Sequence, residues 1–167
     1  LQAQCRDDAA WQDAWTSCEI SQNPNAERGQ SHWLLYDLGY AYNLYSMQIW
    51  NANEVGKTNR GIKTMLLDYS EDGQSWTEFG TVNINEADGS LYYSGEEAAD
   101  FTVIKARYVL LTVEETHGDP DCASIHEVAF RILDTPVTEG RNLWVYPNPA
   151  SDHITLAFDG IDRENVR

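Results

Sequence analysis

Short segments of alternating or apolar residues, separated by turn residues, constrain the fold of this chain most. Segments 45–50 and 125–132 alternate apolar and polar side chains, a pattern typical of strands with one buried face. Four further segments are short and end at glycine or polar residues: 33–38, 63–70, 76–80 and 106–113. This spacing predicts an all-β fold, an antiparallel jelly-roll-like β-sandwich. A helix is predicted only at 7–15, where Trp11 and Trp15 share one helical face.

The domain organisation follows from the same pattern. The chain has 167 residues, which accommodates one domain of ordinary size and a short appendage. The predicted sandwich covers 13–133, and a linker, 134–142, leads to a short β-rich C-terminal segment, 143–167. Residues 1–12 form an N-terminal segment whose start is similar to the end of a secretory signal peptide, with Ala3 just before the cut.

The charge balance of the chain is strongly acidic. Eleven Lys and Arg against 27 Asp and Glu give a formal net charge of −16. Such a surface repels phosphate backbones and anionic lipid, so we expect no nucleic-acid partner, whereas neutral glycans, cations and basic proteins remain compatible. The longest apolar runs, such as 108–111, are far shorter than a membrane span.

No catalytic constellation is found in the sequence. The four histidines are scattered along the chain: His32, His117, His126 and His153. Neither an HExxH arrangement nor a GxSxG or Walker A pattern occurs. The abundance of carboxylates makes any single acid–base pair uninformative. We therefore predict no catalytic residues and no enzyme activity.

Four stretches carry a resemblance to a known family. They are SHWLLYDLG (31–39), IKTMLLDYSEDGQSW (62–76), ARYVLLTV (106–113) and SIHEVAF (124–130). In this order and spacing they resemble the discoidin, or factor V/VIII type C, domains. The resemblance implies a galactose-binding-like β-sandwich. Trp33 and Trp76 are expected to fill its core, and the turn at 72–73 to set the register of a hairpin.

Ligand binding is expected in the loops at the ends of this sandwich. Loop one is 21–30, loop two is 51–60 and loop three is 114–121. Their planar polar groups suit sugar hydroxyls, and their scarcity of apolar tips does not favour membrane insertion. The predicted ligand-binding residues are Asn25, Glu27 and Arg28 in loop one, Asn51, Asn53, Glu54 and Arg60 in loop two, and His117 and Asp119 in loop three.

The resemblance also bears on a structural calcium ion, the one cofactor to consider. Sugar-binding relatives place an Asp seven residues before the tryptophan, a Ser or Thr two before it, and a Glu near the last strand. Ser31 and Glu127 match, while Ala26 stands at the Asp position. Glu27 is then a substitute ligand, because calcium accepts oxygen ligands in flexible number. Alternatively, Arg28 replaces the ion and pairs with Glu127, and no cofactor is bound.

The three cysteines leave one disulfide and one unpaired residue in an oxidising compartment. In the fold that the resemblance implies, the segments around Cys18 and Cys122 lie close together, so this pair is the favoured disulfide. A bond between Cys5 and Cys18 remains the alternative.

The segment WVYPNPASDHITLAF (144–158) carries a second resemblance. Its Tyr146, Pro147, Asn148 and Pro149 between two apolar strands resemble the opening of the C-terminal sorting domain of the type IX secretion system of Bacteroidota. This resemblance implies contact with the secretion machinery and an extracellular or outer-membrane-surface location. Such sorting domains run further than residue 167, so the signal is either trimmed or incomplete.

Together these features predict a secreted or cell-surface, non-catalytic binding module whose partner is a glycan. The alternative is a structural or adhesive subunit of an extracellular assembly, which contacts another surface protein or copies of itself. An enzyme is the class least supported by the sequence.

Overall fold

The computed structural model describes residues 14–133 in full, and only the backbone of the strands at 142–147 and 154–158. The strands are β1 (Trp15–Ser17), β2 (Ser21–Gln22), β3 (Gln30–Asn51), β4 (Ile62–Ser70), β5 (Thr77–Asn83), β6 (Glu96–Thr116), β7 (Ala123–Leu133), β8 (Asn142–Pro147) and β9 (Ile154–Phe158). Short 3-10 turns at Ala26–Arg28 and Thr58–Arg60 lie in loops one and two. The strands pair in the order β5-β4-β6-β3-β7-β8-β9, with β1 beside β7 and β2 beside β3.

The long strands β3 and β6 form an antiparallel ribbon that bends in its middle. The register between them shifts after Asp37 and resumes at Tyr42. In β3 the bend contains Gly39 at φ 80°, which glycine adopts without a Cβ clash. A second shift of register lies between Leu44 and Ser46, opposite Thr102 and Val103 of β6, which have φ of 56° and 120°. Since the ribbon turns back on itself, its two halves belong to two layers.

The two layers pack face to face and enclose the core. In one layer, the first half of β3 pairs with the second half of β6, which pairs with β4, and β4 pairs with β5. In the other layer, the second half of β3 pairs with the first half of β6 and with β7. The rings of Tyr36 and Phe130, one from each layer, meet edge-on at 5.7 Å, and those of Phe79 and Phe101 at 5.0 Å. These contacts confirm the predicted all-β antiparallel sandwich.

Period-two alternation directs side chains into this core. In β3, Leu34, Tyr36 and Leu38 are buried while Leu35 and Asp37 between them are exposed. The largest fully buried side chains come from β3, β4, β6 and β7: Leu38, Leu44, Met47, Ile49, Ile62, Met65, Leu67, Val109, Leu110, Leu111, Ile125 and Phe130. Burial of each such side chain contributes about 1.5–3 kcal/mol, which makes this alternation the main determinant of the fold.

The structure corrects two predictions about tryptophans. Trp15 lies in strand β1 beside β7, so the helix predicted for 7–15 is wrong at its end, and the rest of that segment lies outside the described residues. Trp33 and Trp76 are only half-buried and do not belong to the core cluster. Trp33 alternates with the core residue Leu34 and therefore points to the outer face, where its Nε1 donates to Ser21 Oγ at 3.0 Å.

The Cys18–Cys122 disulfide is present and closes a sequence separation of 104 residues. It ties the segment between β1 and β2 to the residue before β7, as the family resemblance implied. Cys5 lies outside the described residues. In the chain-entropy model a loop of this size stabilises the folded state by about 4–5 kcal/mol.

The connections gather at opposite ends of the strands. The bridge between Gly61 and Ser124 and the bond from His117 N to Gly61 O bring loops two and three to one end, which we call the loop end. The bend of the ribbon lies at the other end, the bend end. The turn after β4 lies there too, because Ser70 pairs with Tyr108 beside the bend.

Beyond β7 the backbone of β8 pairs antiparallel with β7, and that of β9 with β8. Of the proposed sorting motif, Tyr146 and Pro147 end β8, whereas Asn148 and Pro149 lie outside the described residues. In the part of the chain that is described, no helix has the length and apolar character needed to cross a membrane.

Candidate functional site: the loop end

Loop one does not project from the loop end but folds onto the outer face of the β4–β6 layer. Asn23 is buried, and its Nδ2 donates to Thr112 Oγ1 at 2.9 Å and to Ser31 Oγ at 3.1 Å. Its Oδ1 accepts the backbone N–H of Asn25 at 2.8 Å. These bonds tie the start of loop one to β6, so the loop covers sheet surface.

A charged network holds the rest of loop one. Arg28 donates from Nε and Nη2 to the two carboxylate oxygens of Asp68, at 2.9 and 2.6 Å, and from Nη2 to Glu78 at 2.7 Å. Asn25 Nδ2 also donates to Asp68 at 3.2 Å. Hydrogen bonds to Asp68 and then to Glu78 raise the pKa of the Arg28 guanidinium above its ordinary value. The Asp68 side chain is fully buried, so this bidentate pair fixes the loop geometry.

The two calcium alternatives have different outcomes. Arg28 pairs with Asp68 and Glu78, so its predicted pairing with Glu127 is wrong. Among the side chains that the structure describes, no group of three or more His, Cys, Asp or Glu is arranged to hold a metal ion. Calcium binding by Glu27, Ser31 and Glu127 stays a prediction.

Loop two is joined to the 84–95 loop by buried amides, and we call these two loops the platform. The amide of Asn53 accepts from Gly89 N at 2.8 Å and donates to Ser90 O at 2.8 Å. The amide of Asn51 bonds both backbone groups of Ile62, at 2.8 Å each, and donates to Asn85 O at 3.0 Å. Because both asparagines are fully buried, they hold the platform together from inside.

Loop three is attached to the platform from the side. Arg60 Nε donates to Asp119 Oδ2 at 3.1 Å, and the N–H of Asp119 donates to Asn59 O at 3.1 Å. His117 Nε2 is 3.0 Å from Ile84 O. The backbone N–H groups of Asp121 and Cys122, together with Arg60, hold the pKa of Asp119 below its ordinary value of 3.8. Loop two, the 84–95 loop and loop three therefore form one cross-linked surface.

The platform projects apolar side chains that the sequence interpretation missed. Val55 and Leu91 are 75% and 71% exposed, and Tyr92 is 94% exposed. Gly95 anchors the second of these loops closely, because a Cβ there would lie 2.4 Å from Ile49 O. The available signal was the Leu91–Tyr92 pair in an otherwise polar segment between Gly89 and Gly95. An exposed aromatic ring beside polar groups is the usual means of contacting the apolar face of a ligand.

A shallow depression of about 240 Å³ lies beside loop three. It is lined by His32, Val113, Glu114, Glu115, Thr116, Asp119, Pro120 and Cys122. The ring of His32 is fixed by a 2.9 Å contact between Nδ1 and Ser17 Oγ. The depression combines acidic and other polar side chains with Val113, Pro120 and Cys122, so it offers acceptors to a neutral ligand but no Trp, Tyr or Phe ring.

The structure separates the predicted site residues into three groups. Asn25, Asn51 and Asn53 are buried, and their side chains make hydrogen bonds within the protein. Glu27 and Arg28 belong to loop one, which lies away from the platform. Four residues remain at the loop end with partial exposure: Glu54, Arg60, His117 and Asp119. Of these, Glu54 pairs with Lys57 at 2.8 Å beside Val55.

An antiparallel sandwich whose end loops form one cross-linked surface is an architecture common among recognition domains. Within that class the chain belongs to the F5/8 type C domain family, whose model matches residues 5–128. The comparison with curated proteins gave no match.

Solved structures share the fold at low sequence identity. CBM32-3 from a family 31 glycoside hydrolase of Clostridium perfringens has a TM-score of 0.52 at 20% identity, covering 70% of this chain and 73% of that one. The C-terminal domain of a chitobiase from Bacteroides fragilis has a TM-score of 0.51 at 20% identity, covering 71% and 72%. CpGH89CBM32-5 from Clostridium perfringens, in complex with GalNAc-β-1,3-galactose, has a TM-score of 0.50 at 21% identity, covering 69% and 72%.

Proposed function

We propose that the chain is a non-catalytic carbohydrate-binding module and that a neutral glycan binds at the platform. The single observation that carries this proposal is Tyr92, whose ring is almost fully exposed on a loop that buried amides hold in place. A sugar ring has an apolar C–H face that packs on such an aromatic surface. Membership of the F5/8 type C family and similarity to modules named for carbohydrate binding support the ligand class.

Polar groups on the other loop of the platform are proposed to supply the hydrogen bonds that orient a sugar. Glu54 and Lys57 form a partly exposed ion pair on loop two, and Val55 between them projects in the same loop. Carboxylate and ammonium groups accept from and donate to sugar hydroxyls. The strongly acidic net charge of −16 favours a neutral glycan over an anionic one.

The test is binding to a glycan array, followed by titration of the selected glycan; GalNAc-β-1,3-galactose is the first probe. Tyr92→Ala should weaken binding about tenfold, since an aromatic contact of this kind contributes about 1 kcal/mol or more. Tyr92→Phe should retain the affinity. Ile20→Ala, at another exposed apolar residue, is the matched control and should bind normally. No retention on any glycan would overturn the proposal.

We further propose that the module is exported by type IX secretion and acts outside the cell or at the outer-membrane surface. The proposal is supported by the sequence of the segment from Tyr146 to Pro149 between two strand-like segments. Expression in a Bacteroidota host, with Pro147 and Pro149 both replaced by alanine, tests it. The wild-type protein should reach the medium or surface, and the variant should accumulate in the periplasm. Equal export of both would contradict it.

The same exposed tips favour a second candidate, a contact with another surface protein or a second copy of the chain. Val55 and Leu91 add apolar surface that a sugar alone does not require. A monodisperse monomer on size exclusion would count against self-association. In that case the tips serve a glycan or a different protein.

The calcium alternative with Glu27, Ser31 and Glu127 is kept as a prediction with a simple test. If an ion is bound by these residues, EDTA lowers the melting midpoint, because metal removal destabilises only the folded state. An unchanged midpoint contradicts it.

A further inference from the structure

The bend end of the sandwich carries a second organised surface, at the residues around Arg107. Asp37 and Tyr42 pair with Tyr108 and Ala106, so β3 has extra residues opposite Arg107; Leu38 is buried, and residues 39–41 are exposed. Tyr40 lies in this stretch and is 75% exposed. This surface lies at the opposite end of the strands from the platform.

The guanidinium of Arg107 is fixed on two sides. Its Nε and Nη2 donate to the two oxygens of Asp37 at 2.7 and 2.8 Å. Its central carbon lies 4.8 Å from the centre of the Tyr108 ring. That ring in turn lies against the turn after β4, because a Cβ at Gly73 would approach it to 3.3 Å. A planar group stacked on a ring and held bidentately loses little further freedom when it binds a ligand.

Asp37 also positions the exposed tyrosine. Its Oδ1 accepts the backbone N–H of Gly39 at 2.8 Å, and Gly39 takes the positive φ that turns the chain towards Tyr40. The hydrogen bond from Arg107 keeps the pKa of Asp37 low, so the carboxylate is ionised at neutral pH. One side chain thus organises both the guanidinium and the aromatic ring.

The chemistry of this surface fits a sugar. Two of the five guanidinium N–H groups are directed at Asp37, and the remaining ones are available to adjacent hydroxyls. The carboxylate provides acceptors, and Tyr40 provides a face for C–H groups. Both charged side chains are partly exposed, at 38% and 44%, so a ligand has access to them.

A small ligand fits better than a protein. Stable protein interfaces bury about 800 Å² on each partner and have cores depleted in charge. Here a single large exposed ring stands next to an ion pair, and Val103 is the other exposed apolar residue of the bend. Asp37 neutralises Arg107, which removes the attraction for an anionic sugar.

We propose that Tyr40, Arg107 and Asp37 form a second saccharide-binding site, for a neutral sugar with adjacent hydroxyls. The inference extends the proposed function, because it assigns the same class of ligand to a separate surface. The nine residues of β4 connect the two ends, which places the sites about 30 Å apart at 3.3 Å per residue. The module would then bridge two glycan chains.

The experiment is an NMR titration of the ¹⁵N-labelled chain with galactose, N-acetylgalactosamine, glucose and mannose in turn. The readouts are the Nε–H of Arg107, the amides of 39–42 at the bend end and the amides of 89–93 on the platform. At least one sugar should give saturable shifts at Arg107 and 39–42. Tyr40→Ala should weaken that binding about tenfold, and Tyr40→Phe should retain it.

The two sites are separated by the variants. Tyr92→Ala should weaken the binding that shifts 89–93 about tenfold and leave the shifts at 39–42 unchanged. Shifts at 89–93 alone, with all four sugars, would overturn the second site and leave the proposed function standing. Shifts at 39–42 alone would support the second site and overturn the platform as a binding site. Shifts at neither end, or shifts at 39–42 that follow protein concentration without sugar, would overturn this inference.

Discussion

Loop one and the platform are both anchored by buried asparagine side chains, yet they present different surfaces to solvent. In loop one, Asn23 and Asn25 draw the chain down onto the sheet, and the Arg28–Asp68 pair holds it there. In the platform, Asn51 and Asn53 join two loops to each other, and the tips beyond them stay free of the sheet. The difference lies in what the amides bond: sheet side chains in loop one, neighbouring loop backbone in the platform.

This comparison shows why an asparagine-rich loop is a poor guide to a ligand site. A buried amide satisfies two or more backbone groups that would otherwise lie unpaired in the interior. Its polarity therefore serves the fold. The ligand-contacting side chain in the platform is instead expected to be Tyr92, whose ring is exposed and does not pack in the interior.

The largest predicted effect concerns the disulfide that connects the region of loop one to loop three. Cys18→Ser combined with Cys122→Ser should lower the free energy of unfolding by about 4–5 kcal/mol, because the unfolded chain regains the entropy of a long loop. Urea unfolding measures the change. A loss below about 1 kcal/mol would contradict the predicted cross-link.

The next largest predicted effect is a loss of stability from a change in loop one alone. Asp68→Ala should destabilise the chain by about 3 kcal/mol, because it removes the buried partner of Arg28. Glu78→Ala is the matched control: its carboxylate is 57% exposed, and its loss should cost less than about 1 kcal/mol. Glycan affinity should be unchanged in the folded Asp68→Ala protein. A large loss of affinity would show that loop one belongs to the binding site after all.

The corresponding change in the platform should affect both stability and binding. Asn53→Ala removes the acceptor of the Gly89 N–H and the shorter of two hydrogen bonds to the carbonyl of Ser90, which costs about 1–3 kcal/mol. Because Tyr92 follows these residues directly, glycan affinity should fall as well. Asn59→Ala, on the exposed side of loop two, is the control and should change neither. Normal affinity in Asn53→Ala would contradict the proposal that Asn53 holds Tyr92 in its binding position.

The smallest effect is a pH dependence of the junction between loops two and three. Asp119 has a folded-state pKa below its ordinary value of 3.8. Its contribution to stability is therefore complete above that ordinary value and is lost as the pH falls through the folded-state pKa. Wild type should lose more stability than Asp119→Asn between pH 6 and pH 2.5 in urea unfolding. Identical losses in the two proteins would rule this contribution out.

Sequence patterns predicted most of the sandwich because burial of alternating residues dominates strand formation. Segment 63–70 is found as Ile62–Ser70, and 125–132 lies within Ala123–Leu133. The first part of β6 was missed: Glu96 to Asp100 is acidic and alanine-rich, with low strand propensity. It forms a strand because it pairs with the second half of β3, and such long-range pairing is not visible in local sequence.

The burial of the loop residues could not be predicted from the sequence, for a physical reason. Which polar loop residues are buried depends on how the loops fold against the sheet and against each other. Arg28 illustrates this: its partners Asp68 and Glu78 are 40 and 50 residues away in sequence. The sequence predicted loops two and three at the ends of the sandwich, and the structure joins them at one end; the exposure of the Tyr92 ring was not predicted.

The most direct test of the central proposal is a crystal structure of the chain with the glycan that binds best. A sugar ring should pack on Tyr92, with hydroxyl contacts to Glu54 or Lys57. Occupancy of the depression between His32 and Asp119, with Tyr92 left bare, would contradict the platform as the binding site.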